Sequence, residues 1–256
     1  QARVWLVCDG LDTLATLSVN GQTLGSTDNM FRQYRWDVKA LLKPAGNEIS
    51  IVFASAVNFA ARKQAERPLL GVSQAIEGGP HVRKAPCQFG WDWGPQLPPI
   101  GIWKDIRLEG YTTGRLDDVH LRQDHTGNAV NVEVRATVEY WTETPVSVLV
   151  RINAPHGGSF EGRAPVGDDG DAHVVIPVSD PQFWWPNGYG DQPLYQVAVS
   201  LLSADDTPLD SRPYQIGLRT LELRQAEDEY GRSFVFVING VPIFAKGSNW
   251  IPADSF

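Results

Sequence analysis

The chain has 256 residues and a formal charge of −8, with 30 acidic against 22 basic side chains. Hydrophobic residues make up 42% and charged residues 20%, which excludes a disordered chain and describes a globular one with room for one or two cores. The acidic balance repels phosphate backbones and argues against a nucleic-acid partner, and no apolar run approaches the ~18 residues of a helical membrane crossing.

Residues 3–9 alternate as a strand rather than as a leader peptide, residues 14–20 form its neighbour, and Asn20-Gly21 is the dipeptide of a tight hairpin turn. Residues 31–38 place Tyr34, Trp36 and Val38 on one period-two face, and residues 48–53 alternate again after a turn at Pro44 to Asn47. Between residues 58 and 99 the alternation gives way to a long Gly/Pro-containing connection, with a short helix predicted over residues 58–66. A connection of that length inside a β domain is expected to carry function. Residues 102–109 restore a strand and close the first domain near Tyr111.

The second region runs from Leu116 to about Leu223. Its clearest strand is residues 131–140, with Val132, Val134, Ala136 and Val138 inward, and its partners are predicted over residues 146–152, 173–178, 194–202 and 214–218. Several short strands separated by turns describe a two-sheet, immunoglobulin-like sandwich. Residues 233–239 and 241–245 form a further strand pair around the Asn239-Gly240 turn, and residues 246–256 read as the opening of a third domain. The first domain offers five or six strands, fewer than a closed jelly roll, so upstream strands are expected outside the chain.

Cys8 and Cys87 are too isolated for a thiolate metal site, and His81, His120, His125, His156 and His173 lack ligand spacing, so neither a metal nor a cofactor is expected. Cys8 reads as a small buried hydrophobe. The acidic groups Asp168, Asp169, Asp171 and Glu227, Asp228, Glu229 read as solvated turns. In His81-Val82-Arg83-Lys84, the five donors of Arg83 make it the expected anchor of the long loop. Trp184-Trp185-Pro186-Asn187-Gly188 reads first as packing followed by a turn.

The stretch Phe89-Gly90-Trp91-Asp92-Trp93-Gly94-Pro95 carries the sharpest chemical signal. A sugar presents a C–H face to indole and hydroxyls to a carboxylate, so Trp-Asp-Trp on a Gly/Pro-rich loop suits a saccharide subsite. The same residues could instead be two core anchors and a turn cap made by Asp92. Both readings stand on the residues alone.

Three stretches in order close the argument: Phe89 to Pro95 as above, then Trp184-Trp185-Pro186-Asn187-Gly188-Tyr189-Gly190 with Gln192-Pro193-Leu194-Tyr195, then Lys246-Gly247-Ser248-Asn249-Trp250-Ile251-Pro252-Ala253-Asp254-Ser255-Phe256. Together they resemble the β-mannosidase branch of glycoside hydrolase family 2. The resemblance implies an all-β chain with a jelly-roll-like sugar-binding domain over residues 1–112, an immunoglobulin-like β-sandwich over 113–224, and the first segment of a catalytic (β/α)₈ barrel over 225–256. It implies that Trp91, Asp92, Asn249 and Trp250 line a subsite for the terminal mannose of a β-mannoside or manno-oligosaccharide. It places both catalytic glutamates on later barrel strands of the same polypeptide, leaving no catalytic residue in this chain and an inactive fragment. Its alternatives are an exo-β-glucosaminidase or endo-β-mannosidase of the same family, or a non-catalytic carbohydrate-binding module. A stand-alone module is expected to end after its sandwich, whereas residues 246–256 continue beyond it.

Overall fold

The computed structural model describes residues 1–126 and 129–254. It is mostly β-sheet, organised in several discrete antiparallel sheets with one short α-helix among the described residues. The chain divides into two compact units, one of Gln1–Tyr111 joined by the segment from Asn249 onward, the other of Thr112–Ser248. No helix is long and apolar enough to cross a membrane among the described residues.

The first unit contains β1 (Arg3–Cys8), β2 (Leu11–Asp12), β3 (Ala15–Val19), β4 (Gln22–Thr27), β5 (Tyr34–Asp37), β6 (Ile49–Phe53), α1 (Ala56–Glu66), β7 (Gly101–Ile102) and β8 (Ile106–Tyr111). β1 lies between β5 and β8, β3 lies between β4 and β6, and β2 pairs with β7. Val4, Leu6 and Cys8 alternate from β1 into the same core that receives Ala15, Leu17 and Val19 from β3. Each fully buried Leu or Val there contributes about 1.5–3 kcal/mol of apolar burial. Asn20 and Gly21 both have positive φ, 50° and 83°, as the hairpin turn between β3 and β4 requires. The Asn20 side chain adds a reason for asparagine: it donates to Leu41 O at 2.7 Å and accepts from Glu48 N–H at 2.9 Å.

α1 starts two residues before the predicted position because Ser55 is its N-cap and accepts from Asn58 N–H at 3.2 Å. The helix buries Ala56 and Ala60 against Val82 and Phe89, a small separate core beneath the long connection. Gly78 passes over Ala60 at φ 83°, where an added Cβ would lie 2.5 Å from the Ala60 carbonyl oxygen.

That connection is tied to the sheets by Lys84, not by Arg83 as the sequence suggested. Lys84 is fully buried, ion-paired with the buried Asp12 of β2, and donates to Pro99 O at 2.6 Å. Arg83 is exposed, and its contribution is its backbone carbonyl, which accepts from Met30 N–H at 3.0 Å. Trp103 Nε1 donates to Met30 O at 2.8 Å and secures the same corner.

The second unit contains β9 (Gly114–Asp124), β10 (Val130–Tyr140), β11 (Ser147–Asn153), β12 (Ser159–Pro165), β13 (Asp171–Val178), β14 (Tyr195–Leu202), β15 (Pro208–Ile216), β16 (Leu221–Arg224), β17 (Glu227–Asp228), β18 (Gly231–Arg232), β19 (Val235–Ile238) and β20 (Val241–Ile243). One sheet has the order β13-β10-β9 and another β12-β11-β14-β15, and inward side chains of both form a common core. Val132, Val134, Ala136 and Val138 all point into it, matching the period-two pattern. β12 is a strand that the sequence did not announce. It lies at a sheet edge, and its Gly162 sits where a Cβ would come within 2.7 Å of Val174 and 3.0 Å of Ile176, so the strand leaves room for its neighbours instead of filling the core. Asn239 and Gly240, at φ 49° and 80°, turn β19 into β20.

Candidate functional site

The Trp-Asp-Trp loop is held at its base and presented at its tip. Phe89 is buried against α1, its carbonyl accepts from Ile76 N–H at 2.8 Å, and Gly90 N–H donates to Cys87 O at 3.1 Å. Gly90 turns at φ 105°, in space closed by Gln74 and Gln96, which are themselves joined by Gln96 Nε2 donating to Gln74 O at 2.8 Å. Trp91 N–H then donates to Gly94 O at 3.1 Å, tying the two ends of a bend with Asp92 and Trp93 between them. The core anchor of the segment is therefore Phe89.

Trp91 is 42% exposed, Asp92 is exposed and Trp93 is half-buried. Among the described residues the Asp92 carboxylate accepts no hydrogen bond from the protein, so the turn is made without it as a cap. A carboxylate left open beside an exposed indole has acceptor capacity for ligand hydroxyls. Trp91 also walls a cavity of about 900 Å³ with Phe31, Leu70, Val72, Val82 and Phe89. That is within the size range of small-molecule sites.

Asn249 and Trp250 lie in an exposed, irregular segment assigned to the same unit as the loop, with Trp250 86% exposed. No hydrogen bond or ring contact joins them to Trp91 or Asp92 among the described residues. Ser255 and Phe256, the end of the third quoted stretch, lie outside the described residues.

Trp184 and Trp185 are half-buried, each against a glycine: an added Cβ at Gly217 would meet Trp184 at 2.7 Å, and one at Gly190 would meet Trp185 at 2.9 Å. The Arg219 guanidinium lies 4.8 Å over the Trp184 ring, and Asn239 Nδ2 donates to Trp184 O at 3.1 Å.

The perturbed titrating groups belong to the scaffold. Burial pushes the Cys8 thiol up to about 11, keeping it protonated, with the Asp9 charge adding to the effect. Burial pulls the Lys84 ammonium below its ordinary value, opposed by its hydrogen bond and charge pairing with Asp12. For Arg115, burial acts downward, but Glu139 at 2.8 Å and Asp117 outweigh it and raise the guanidinium further. Among the described residues no group of three His, Cys, Asp or Glu side chains is disposed to hold a metal ion.

Sequence reasoning missed Lys84 and Asp12 as the pair that positions the connection carrying this loop. The available signal was Asp12 itself, since a carboxylate in the apolar run around Leu11 requires a buried partner.

Two adjoining family models account for most of the chain. Residues 1–104 match the glycosyl hydrolase 2 galactose-binding domain-like model, and residues 114–219 match the glycosyl hydrolases family 2 model. A β fold carrying an open carboxylate and indole thus falls among the glycoside hydrolases. The chain belongs to glycosyl hydrolase family 2. It is 36% identical to beta-mannosidase B of Aspergillus clavatus over 100% of this chain and 30% of that protein. It is also 36% identical to the beta-mannosidase of Rattus norvegicus, over 99% of this chain and 30% of that one. The crystal structure of a beta-D-mannosidase from Dictyoglomus thermophilum superposes with a TM-score of 0.89 at 35% identity, covering 99% of this chain and 32% of the other. The chain thus spans about 30% of the length of the curated relatives it matches. An exo-chitosanase of Amycolatopsis orientalis, at 19% identity and a TM-score of 0.66 over 98% of this chain and 27% of that one, shares the fold.

Proposed function

We propose that this chain is part of a retaining exo-β-mannosidase that removes terminal non-reducing β-D-mannose from β-mannosides. The observation that carries this reading is the whole-chain likeness to β-mannosidases at 35–36% identity in both sequence and structure. Residues 1–112 are read as a jelly-roll-like sugar-binding domain, 113–224 as an immunoglobulin-like sandwich, and 225–256 as the first segment of a (β/α)₈ barrel. The shared cores of the two sheet pairs support the first two assignments.

Within that enzyme, Asp92 accepts hydrogen bonds from sugar hydroxyls, Trp91 offers its ring face to the C–H face of mannose, and Asn249 and Trp250 complete the subsite. The open carboxylate of Asp92 and the exposure of both indoles support these roles. Retention of configuration requires two carboxyl groups about 5–5.5 Å apart, one as nucleophile and one as acid/base. In this reading both are glutamates outside residues 1–256, and this chain contributes binding rather than bond cleavage.

The test is an assay of the full-length parent on aryl β-mannoside, β-glucoside, β-galactoside and β-glucosaminide. Selectivity for the mannoside is expected. Selectivity for the glucosaminide would transfer the assignment to a sister exo-β-glucosaminidase, and inactivity on all four would point to a binding role.

A further inference from the structure

The second unit carries a pocket of about 380 Å³ that no comparison assigns, lined by His156, Gln182, Phe183, Trp185, Asp191 and Pro193 together with Gly190. Two connections build it. One is the 179–194 segment that links β13 to β14, and the other is the short turn between β11 and β12, with His156 in it. Asn153 and Gln196 are register partners, which brings the turn and the end of the segment to the same edge of the sheet.

The segment is fixed by hydrogen bonds within itself. Trp185 N–H donates to Asp191 O at 2.9 Å, Tyr189 N–H donates to Pro186 O at 3.0 Å, and Gln192 Nε2 donates to both Trp185 O at 3.0 Å and Gly190 O at 2.6 Å. Gly190 lies against the indole where any side chain would collide with it. Phe183 is held by the His125 ring at 5.9 Å and by a bridge to Leu218, yet remains 40% exposed. Among the described residues the side chains of His156, Gln182 and Asp191 hydrogen-bond to no protein group.

The geometry points to a saccharide-binding pocket in the second unit, in which Trp185 and Phe183 take the C–H face of a neutral pyranose while Asp191, Gln182 and His156 bind its hydroxyls. Three features select that ligand class. The aromatic walls reward a flat apolar face. The surrounding carboxylate, amide and imidazole supply acceptors and donors in the mixture that a ring of hydroxyls matches. The Asp191 carboxylate in the lining, with no Lys or Arg beside it among the described residues, disfavours phosphate or another anion. The rigid turn lowers the ordering cost of binding. This inference stands on the pocket's own chemistry and does not depend on the hydrolase reading.

The test is a titration of the ¹⁵N-labelled 256-residue chain with β-1,4-mannobiose and, separately, cellobiose, followed by amide and indole chemical shifts. Saturable shifts are expected at Gly190, Asp191 and the Trp185 indole N–H. Asp191→Ala and, independently, Trp185→Leu should weaken that binding by about tenfold or more with the rest of the spectrum retained. Asp92→Ala should leave the shifts over residues 182–193 unchanged, separating this pocket from the Trp91 loop. Absence of saturable shifts at these positions with both disaccharides, or an affinity in both pocket variants equal to that of the unsubstituted chain, would overturn the inference.

Discussion

At the scale of single residues, burial and charge separate anchors from contacts. Lys84→Met leaves the Asp12 carboxylate buried without its cation, a loss of about 3–5 kcal/mol that urea denaturation should register, while adding Asp12→Leu to it should restore much of the stability. Asp92→Ala removes no hydrogen bond or ion pair among the described residues, so stability should stay within about 0.5 kcal/mol, and kcat/KM of the full-length parent on aryl β-mannoside should fall roughly a hundredfold. Cys8 gives a pH dependence of definite sign. Its thiol pKa rises from 9.0 to about 11 on folding, so the unfolded chain gives up this proton first, and stability is lost as pH climbs through that interval. The Cys8→Ala variant should decline less steeply over pH 9–11 in the same denaturation series. The sequence marked Asp92 and Cys8 as individuals, because each stands out against its neighbours in an alternating or aromatic run. It pointed to Arg83 over Lys84, because donor number is visible in a sequence and the direction of a side chain in an irregular loop is not.

At the scale of elements, what was legible had a local cause. Of the three Asn-Gly dipeptides, Asn20-Gly21 and Asn239-Gly240 are hairpin turns with two successive positive φ values, whereas at Asn187-Gly188 only the glycine is positive; β10 alternates because one of its faces is buried. β12 escaped because its residues, Ser159–Pro165, serve an edge and include a glycine chosen by neighbours more than ten residues away. The same logic separates glycines of equal conformation. Gly78 and Gly46 both have positive φ, but only Gly78 faces backbone, at Ala60 O. Gly78→Ala should therefore cost about 2–4 kcal/mol and loosen α1, whereas Gly46→Ala, in open space, should cost about 1 kcal/mol. Thermal unfolding together with hydrogen exchange of the α1 amides distinguishes them.

At the scale of the whole molecule, the two units each have a core, and Trp91, Phe183 and Trp250 stand exposed outside those cores. The Trp-Asp-Trp loop was recognisable because its residues are contiguous, but its anchoring was not, since it depends on Phe89 meeting α1 and on Gln96 reaching Gln74 across 22 residues. The pocket around Trp185 escaped for the same reason, with His156 contributed from a turn about 30 residues earlier in the sequence. An acceptor carboxylate beside an indole lowers the free energy of a bound sugar without supplying either the nucleophile or the proton that glycosidic cleavage demands. The 256-residue chain by itself should consequently show no turnover of aryl β-mannoside, while mannobiose should still perturb the Trp91 indole in its spectrum and fail to do so in Asp92→Ala. Hydrolysis by the isolated chain would place a catalytic carboxyl pair within residues 1–256 and sink the assignment of cleavage to glutamates elsewhere.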